Sequence, residues 1–289
     1  VDFTIVTPSY RELGYLGACV ASVADQEGVE VEHIVQDAGT DGFGKFAEQM
    51  KARWPDRPNY RRLMISEPDR GMYDAVNKGL KRGTGKICAY LNCDEQYLPG
   101  ALRAIYEAFQ SAPRAEICYG GFLVIDSHGH LITVQRPVRL FWPHVATSHL
   151  ANFTCATFFL RSFLERQQAW FDPASTACAD ALWTLEHLRS GVGTLRLAAP
   201  ISVFRQTGTN RGLTQQGLEE RKRIAREAPR WVQMGKPVWI AIHRILKWVS
   251  GGYLPRKIAY SIWRSGDDPA RIRHGPVWSH GIWWARVKL

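Results

Sequence analysis

No stretch of the 289 residues reaches the ~18 consecutive apolar side chains that a spanning helix needs, because Arg, Lys, His or Pro interrupts every Trp- or Leu-rich run. No helix is therefore expected to cross a bilayer. A secretory signal is also missing: Val1 leads almost directly into the apolar run Phe3–Val6, with no Met and no basic segment ahead of it, and the sequence as given is expected to be trimmed. The six cysteines (Cys19, Cys88, Cys93, Cys118, Cys155, Cys178) form no CxxC pair and no dense framework. That argues against a zinc site or a disulfide scaffold and for reduced thiols in a cytoplasmic protein, which makes the sequon Asn152-Phe153-Thr154 a chance match. No phosphate loop of the P-loop type, no readable Ser-His-Asp order, no internal repeat and no low-complexity segment is present. The nine histidines show no metal-ligand spacing. His128 and His130 read as solvated, and His144, His149 and His187 stay open as additional metal ligands.

What is present is unevenly placed. From Gln216 onward Lys and Arg outnumber Asp and Glu by 15 to 5, whereas the residues before it balance at 22 to 22, so the whole net charge of +10 lies in the last quarter. Seven of the eleven Trp residues lie there too. The preceding part reads as alternating strand and helix. Phe3–Val6 is a buried strand ending at Thr7-Pro8-Ser9-Tyr10, and Glu12–Gln26 carries apolar residues at helical spacing. Val31–Gln36 is a second strand, followed by the acidic turn Asp37–Gly42. Helix Phe43–Trp54 and strand Tyr60–Ile65 come next, and helix Met72–Arg82 sets Asp74 and Lys78 four residues apart before Gly83 ends it.

Ile87–Leu91, the most apolar strand, is placed at the sheet centre and delivers Asn92-Cys93-Asp94-Glu95 to the same edge as Asp37. At the carboxyl ends of parallel strands an open α/β sheet binds its ligands. Beyond it come a helix from Leu98 to Phe109, a strand Ile117–Tyr119 and a hairpin of Phe122–Ile125 with Leu131–Gln135. An irregular stretch Phe141–Leu160, a helix Ala177–Ser190 and a strand Leu195–Phe204 follow. From Leu218 the pattern becomes basic helices broken by Pro229, Pro237 and Pro255, an arm or separate subdomain.

Adjacent carboxylates at Asp94 and Glu95, on a turn after a buried strand, can offer hard oxygen ligands to Mn²⁺ or Mg²⁺; a solvated acidic turn is the alternative. Thr7-Pro8-Ser9-Tyr10, the Gln36–Gly42 turn, Ser66-Glu67-Pro68-Asp69-Arg70-Gly71-Met72-Tyr73-Asp74-Ala75-Val76-Asn77-Lys78-Gly79 and Leu91-Asn92-Cys93-Asp94-Glu95 together resemble family 2 glycosyltransferases of the GT-A fold. The likeness is strongest to the bacterial branch that builds exopolysaccharide, colanic-acid-like and O-antigen chains, and it covers roughly residues 3–210.

The resemblance implies a Rossmann-like mixed α/β sheet flanked by helices over residues 1–215, divided into a nucleotide-sugar-binding half (1–120) and an acceptor half (121–215), with 216–289 a basic, Trp-rich helical arm outside it. It implies that Thr7 and Asp37 contact the nucleotide base and Arg70 approaches the nucleotide. Asn92-Cys93-Asp94 stands for the DxD metal motif, with Asn in place of the first aspartate, so Asp94 carries the metal and Asn92 touches sugar or ribose. Asp69, Asp74 and Asn77 stay open between ligand contact and structure: Asp74 pairing Lys78, Asn77 bracing the loop. In Ala177-Cys178-Ala179-Asp180-Ala181-Leu182-Trp183 the base position falls on Asp180. Ala179 replaces the acidic residue often found before it, and Thr154 stands where a His is frequent. Arg205, in the Phe204–Asn210 phrase, is a candidate phosphate contact.

The function implied is an inverting, metal-dependent transfer of sugar from a UDP-, GDP- or dTDP-sugar to a glycan or lipid-linked oligosaccharide acceptor. The alternative, suggested by the substituted motif positions, is a non-catalytic scaffold of a membrane polysaccharide assembly. The Trp-rich arm either meets an anionic membrane surface, placing the protein peripherally on the cytoplasmic face, or packs on the core. Nucleic-acid binding is not expected, because no motif accompanies the charge.

Overall fold

The computed structural model describes residues 1–175, 177–207 and 214–282. Strand β1 (Phe3–Ser9) has all seven side chains buried, Thr4, Thr7 and Ser9 included, as a strand covered on both faces does, and so shows no alternation of buried and exposed positions. Helix α1 (Leu13–Ala24) leads to β2 (Val31–Asp37), and α2 (Phe43–Arg53) to β3 (Tyr60–Ser66). The three strands are parallel, with Phe3 beside Val31 and Val31 beside Tyr60. Helix α3 (Met72–Arg82) carries the chain to the other side of β1, where β4 (Ile87–Tyr90) pairs in parallel with Phe3 beside Ile87. The chain therefore reverses its direction of winding between β1 and β4. That is where such a sheet opens a crevice at its carboxyl edge.

The second half follows as β5 (Gln96–Tyr97), α4 (Ala101–Ser111), β6 (Ile117–Ile125), β7 (Leu131–Gln135), α5 (Trp142–Thr147), β8 (Thr157–Leu160), α6 (Arg161–Arg166), α7 (Ala179–Arg189) and β9 (Thr194–Arg205). Among the described residues nine strands make one mixed sheet in the order β3-β2-β1-β4-β8-β6-β9-β5, with β7 paired to β6. Strand β8, inside the stretch expected to be irregular, is in fact central and antiparallel to both β4 and β6. Phe158 and Phe159 on it pack into opposite core layers, one with Phe3 and Phe122, the other with Tyr73 and Trp183.

The arm is helical only in its first part: α8 (Gln215–Glu227), α9 (Arg230–Met234) and α10 (Lys236–Val249). After Pro255 the chain forms an antiparallel ribbon, β10 (Arg256–Ile262) and β11 (Ile272–Ser279), where helix was expected. The cause is local: Ile258, Tyr260 and Ile262 alternate with polar or small residues, and Tyr260 and Ile262 bury against Leu123 and Val203. The ribbon is fastened to the sheet domain. Trp263, 4% exposed, packs on Ala18 and Ala21 of α1, and its indole N–H donates to Asp25, which also receives two hydrogen bonds from the Arg271 guanidinium. Gln96 exchanges two hydrogen bonds with the Trp263 backbone. At Gly17 and Gly266 the backbones meet so closely that a Cβ on Gly266 would stand 2.8 Å from the Gly17 Cα. This cover explains why α1 is apolar almost all round. Among the described residues no helix is long and apolar enough to cross a membrane.

Candidate active site

The acidic turn after β4 is folded on itself. Glu95 N–H donates to the Asn92 carbonyl, and the Glu95 carboxylate reaches back to accept from the Asn92 N–H at 2.9 Å. Glu95 is thereby 1% exposed with its second oxygen, Oε1, buried and without a hydrogen-bond partner among the described residues. Asp94 is half-buried beside it. Burial raises both carboxyl pKa values above their ordinary range, and each group's charge acts on its neighbour: Glu95 is raised further by Asp94, while Asp94 is pulled back by Arg205. Two desolvated carboxylates, one with an orphaned oxygen, form a donor set that a hard divalent cation would satisfy. The residues thus fit Mn²⁺ or Mg²⁺, Asp94 being the more accessible of the two carboxylates.

Asp180 lies in the first turn of α7. Its Oδ1 accepts the Ala181 N–H at 2.8 Å and faces the Tyr73 hydroxyl at 3.4 Å. The surroundings are aromatic: Tyr73 stacks on Phe171, Tyr90 meets both edge-on, and Phe171 stacks on Trp183. Burial there lifts the Asp180 pKa to about 6 despite those hydrogen bonds. The carboxylate is close enough to the acidic turn for its charge to raise Glu95 as well.

The remaining site residues are placed with less freedom than a ligand contact needs. Thr7 is fully buried, and its hydroxyl is hydrogen-bonded with His33 Nε2 at 2.9 Å, so its side chain is turned into the core. Asp37 is also buried; its carboxylate accepts from the Gly39 and Thr40 amides and from the Thr40 and Ser66 hydroxyls, which shapes the loop after β2. Arg70 is the exposed one, lying over Asp74 at 3.2 Å. Asp74 also pairs with Lys78, and Asp69 accepts from the Gly71 amide. Asn77 exchanges two hydrogen bonds with the Phe171 backbone, so it braces the loop leading to α7. Asn92 keeps its side-chain oxygen buried. Arg205 is 5% exposed, donates to the Asp126 and Ser127 carbonyls and lies over the Tyr15 ring. It is a fixed positive charge beside Asp94; Gly208, Thr209 and Asn210 of its phrase lie outside the described residues.

Two supports escaped the sequence reading. Tyr73 sits inside the α3 motif, where nothing in the sequence marks its contact with Asp180. Glu220, on α8 of the arm, accepts from the Ala177 and Cys178 amides and the Ser175 hydroxyl, holding the entry to α7; no local pattern around Glu220 marks this. The histidines open as metal ligands go elsewhere. His187 packs on Phe163 and Trp183, while His144 and His149 gather with His243 of α10, their nearest ligand atoms within 4.8 Å. The His144 and His243 rings are parallel, 7° apart at 4.1 Å between centroids. Stacked planes cannot both aim in-plane lone pairs at one ion over bonds of about 2.0–2.1 Å, so the trio as built is a packing joint between α5 and α10.

Solved structures share this architecture. S. aureus TarS in complex with UDP-GlcNAc superposes with a TM-score of 0.60 at 13% identity, covering 86% of this chain and 73% of that one. The mannosyltransferase PcManGT from Pyrobaculum calidifontis, in complex with GDP-Man and Mn²⁺, gives 0.54 at 16% identity over 84% and 75%. The fold is that of GT-A glycosyltransferases. Residues 4–181 match the family described as glycosyl transferase family 2, and the chain belongs to it. The succinoglycan biosynthesis protein ExoO of Rhizobium meliloti is 27% identical over 192 residues, 60% of this chain and 51% of that protein. An uncharacterized protein of Mycobacterium tuberculosis is 31% identical over 108 residues, 37% and 32%. The chain spans about a third to a half of the length of the curated relatives it matches.

Proposed function

We propose that the chain is an inverting glycosyltransferase that moves a sugar from a nucleoside-diphosphate sugar to a hydroxyl of a lipid-linked glycan during surface-polysaccharide assembly. One observation carries this reading: Asp180 is enclosed by the rings of Tyr73, Tyr90, Phe171 and Trp183 with Tyr73 at 3.4 Å, burial there raises its pKa to about 6, and its charge reaches Glu95 of the acidic turn. A base with that pKa is largely ionised at neutral pH and still able to take a proton. The acceptor hydroxyl gives its proton to Asp180 as its oxygen bonds to the anomeric carbon, and the bond from that carbon to the diphosphate breaks on the opposite face. Mn²⁺ or Mg²⁺ held by Asp94 would supply positive charge to the departing diphosphate. The desolvated aromatic wall of Tyr73, Tyr90 and Phe171 keeps water from competing for the base. Residues 1–215 carry the chemistry in this reading and 216–289 support it. The polysaccharide context is drawn from ExoO and the donor class from TarS and PcManGT.

The test is a panel of UDP-, GDP- and dTDP-sugars with Mn²⁺, read by thermal shift and by release of the nucleotide. A bound donor at 100 times its Kd should add ~2.7 kcal/mol of stability. No stabilisation and no release with any donor overturns the reading in favour of a non-catalytic scaffold.

A further inference from the structure

Helix α10 is amphipathic in the reverse of the usual sense. The side that faces the protein is largely polar: His243 is buried against His144 and Lys247 donates to Gln135 Oε1 at 2.9 Å, with Trp239 packed beside Phe141. Its apolar side faces outward. Val238, Ile245, Trp248 and Val249 are 54–72% exposed, and Trp231 and Met234 of α9 extend the same surface at 57% and 83%. On α10 these positions recur at helical spacing, so they form one stripe along a single face. Leu254, in the turn that follows, adds to it at 60%. A run of large apolar side chains exposed together marks an interaction surface, not scattered surface residues.

We infer that this face lies on the surface of an anionic lipid bilayer. Charge selects the occupant. Between Glu227 and Asp267 the chain has no acidic residue and seven basic ones, of which Arg230, Lys236, Arg244 and Lys257 are exposed around the stripe. A second copy would bring the same cations against these, so self-association through this face is opposed by like charge. Trp at the margin of an apolar face with Lys and Arg outside it is the arrangement that suits a headgroup boundary. At 14 residues α10 is about 21 Å long and apolar on one side only, so it would rest in the interface plane, not cross it. Of the arm's Trp residues, Trp263 fastens the ribbon to α1 and Trp239 packs on Phe141, while Trp248 stands 72% exposed on the stripe and Trp231, one edge against Trp142, is 57% exposed beside it.

This inference deepens the acceptor part of the proposed function, because a lipid-linked acceptor is met at that plane; its test requires no transfer. The full chain is sedimented with vesicles of phosphatidylcholine alone and with phosphatidylglycerol added. Wild type should partition onto the anionic vesicles and be released as salt is raised. The double variant Ile245→Glu/Trp248→Glu, altered only at exposed positions, should lose about ten-fold or more of that partitioning while its circular dichroism and its donor-induced thermal shift stay as in wild type. Absence of wild-type binding, equal binding of the variant, or equal binding to neutral vesicles overturns the inference. So does a dimer in solution that the variant abolishes without any vesicle binding, which would give the face to a second copy. Loss of the donor shift in wild type would instead sink the proposed function and leave the lipid face standing.

Discussion

The acidic turn and Asp180 are held in opposite ways. The acidic turn after β4 is fixed by residues within three positions of one another, Asn92 and Glu95 exchanging both of their hydrogen bonds. Asp180 is fixed from far away: by Tyr73 on α3, by the Asn77 brace on the loop before α7, and by Glu220 on the arm. A metal-binding turn needs little more than a strand end to define it. In the proposed mechanism the proton acceptor stands on the far side of the substrate, so its position depends on how distant elements are assembled around α7.

The sharpest way to break this contrast is to remove each carboxylate separately. Asp180→Asn should lower transfer by about 10²–10⁴ while leaving donor binding intact, measured by product formation and by donor-induced thermal shift. It should also raise the melting temperature: burial lifts the Asp180 pKa to about 6 from 3.8, so its ionised form costs stability at neutral pH, and Asn removes that cost. Near-normal transfer with a confirmed acceptor would show that the base is another group. Asp94→Ala should do the converse, abolishing Mn²⁺-dependent donor stabilisation; unchanged Mn²⁺ dependence would leave Asp94 without a metal role.

Glu220→Ala tests whether the base side relies on the arm. It strips a carboxylate from two backbone amides and a hydroxyl at the entry to α7, and a displaced base should lower kcat by about 10- to 100-fold with the donor Kd unchanged. Gln at this position should recover most of the loss. A matching rise in donor Kd would mean that the two sides are not separable. Acidification has a smaller effect with a defined sign: Asp180 works ionised, so kcat should be level above its pKa and fall roughly ten-fold per pH unit below about 6. Asp180 variants with residual activity should lack that limb.

The same contrast decides how much the sequence could reveal. Elements set by neighbours along the chain were legible: helix α3 begins and ends as its pattern says, between Gly71 and Gly83, and the acidic turn follows the most apolar strand. Elements set by distant partners were not. Strand β8 has only four residues, and its identity comes from pairing with β4 and β6. The ribbon did carry a signal, the alternation of Ile258, Tyr260 and Ile262, but the surrounding basic residues and prolines suggested more helix. Asp37 ends β2, next to where the strand was expected to stop, whereas Thr7 lies inside β1, which continues to Ser9; which way their side chains point was settled by His33 and by the loop after β2, and neither partner could be foreseen from a motif. Asp180 stood out only through the family resemblance, because an Asp before Ala-Leu-Trp has no mark of its own.

The smallest expected effect concerns the joint that keeps the arm in place. His144, His149 and His243 meet where α5 faces α10, and burial lowers their pKa values to about 3, 4 and 4. His243 feels the charges of His149 and Lys247, and His149 those of Lys247 and Arg221, which oppose protonation further. Unfolded histidines take up protons below about 6.5, whereas the packed ones refuse them until the pH is much lower. The unfolded state therefore binds more protons over that window, and stability should decline as pH falls from about 6.5 toward 4. His149 is largely exposed, so its share is discounted. In His243→Asn the melting temperature should fall less steeply over the same window, with little change in slope above it. If the slopes are equal, the joint does not titrate with the fold; Asp180 cannot supply the decline, because protonating its raised carboxyl below about 6 adds stability.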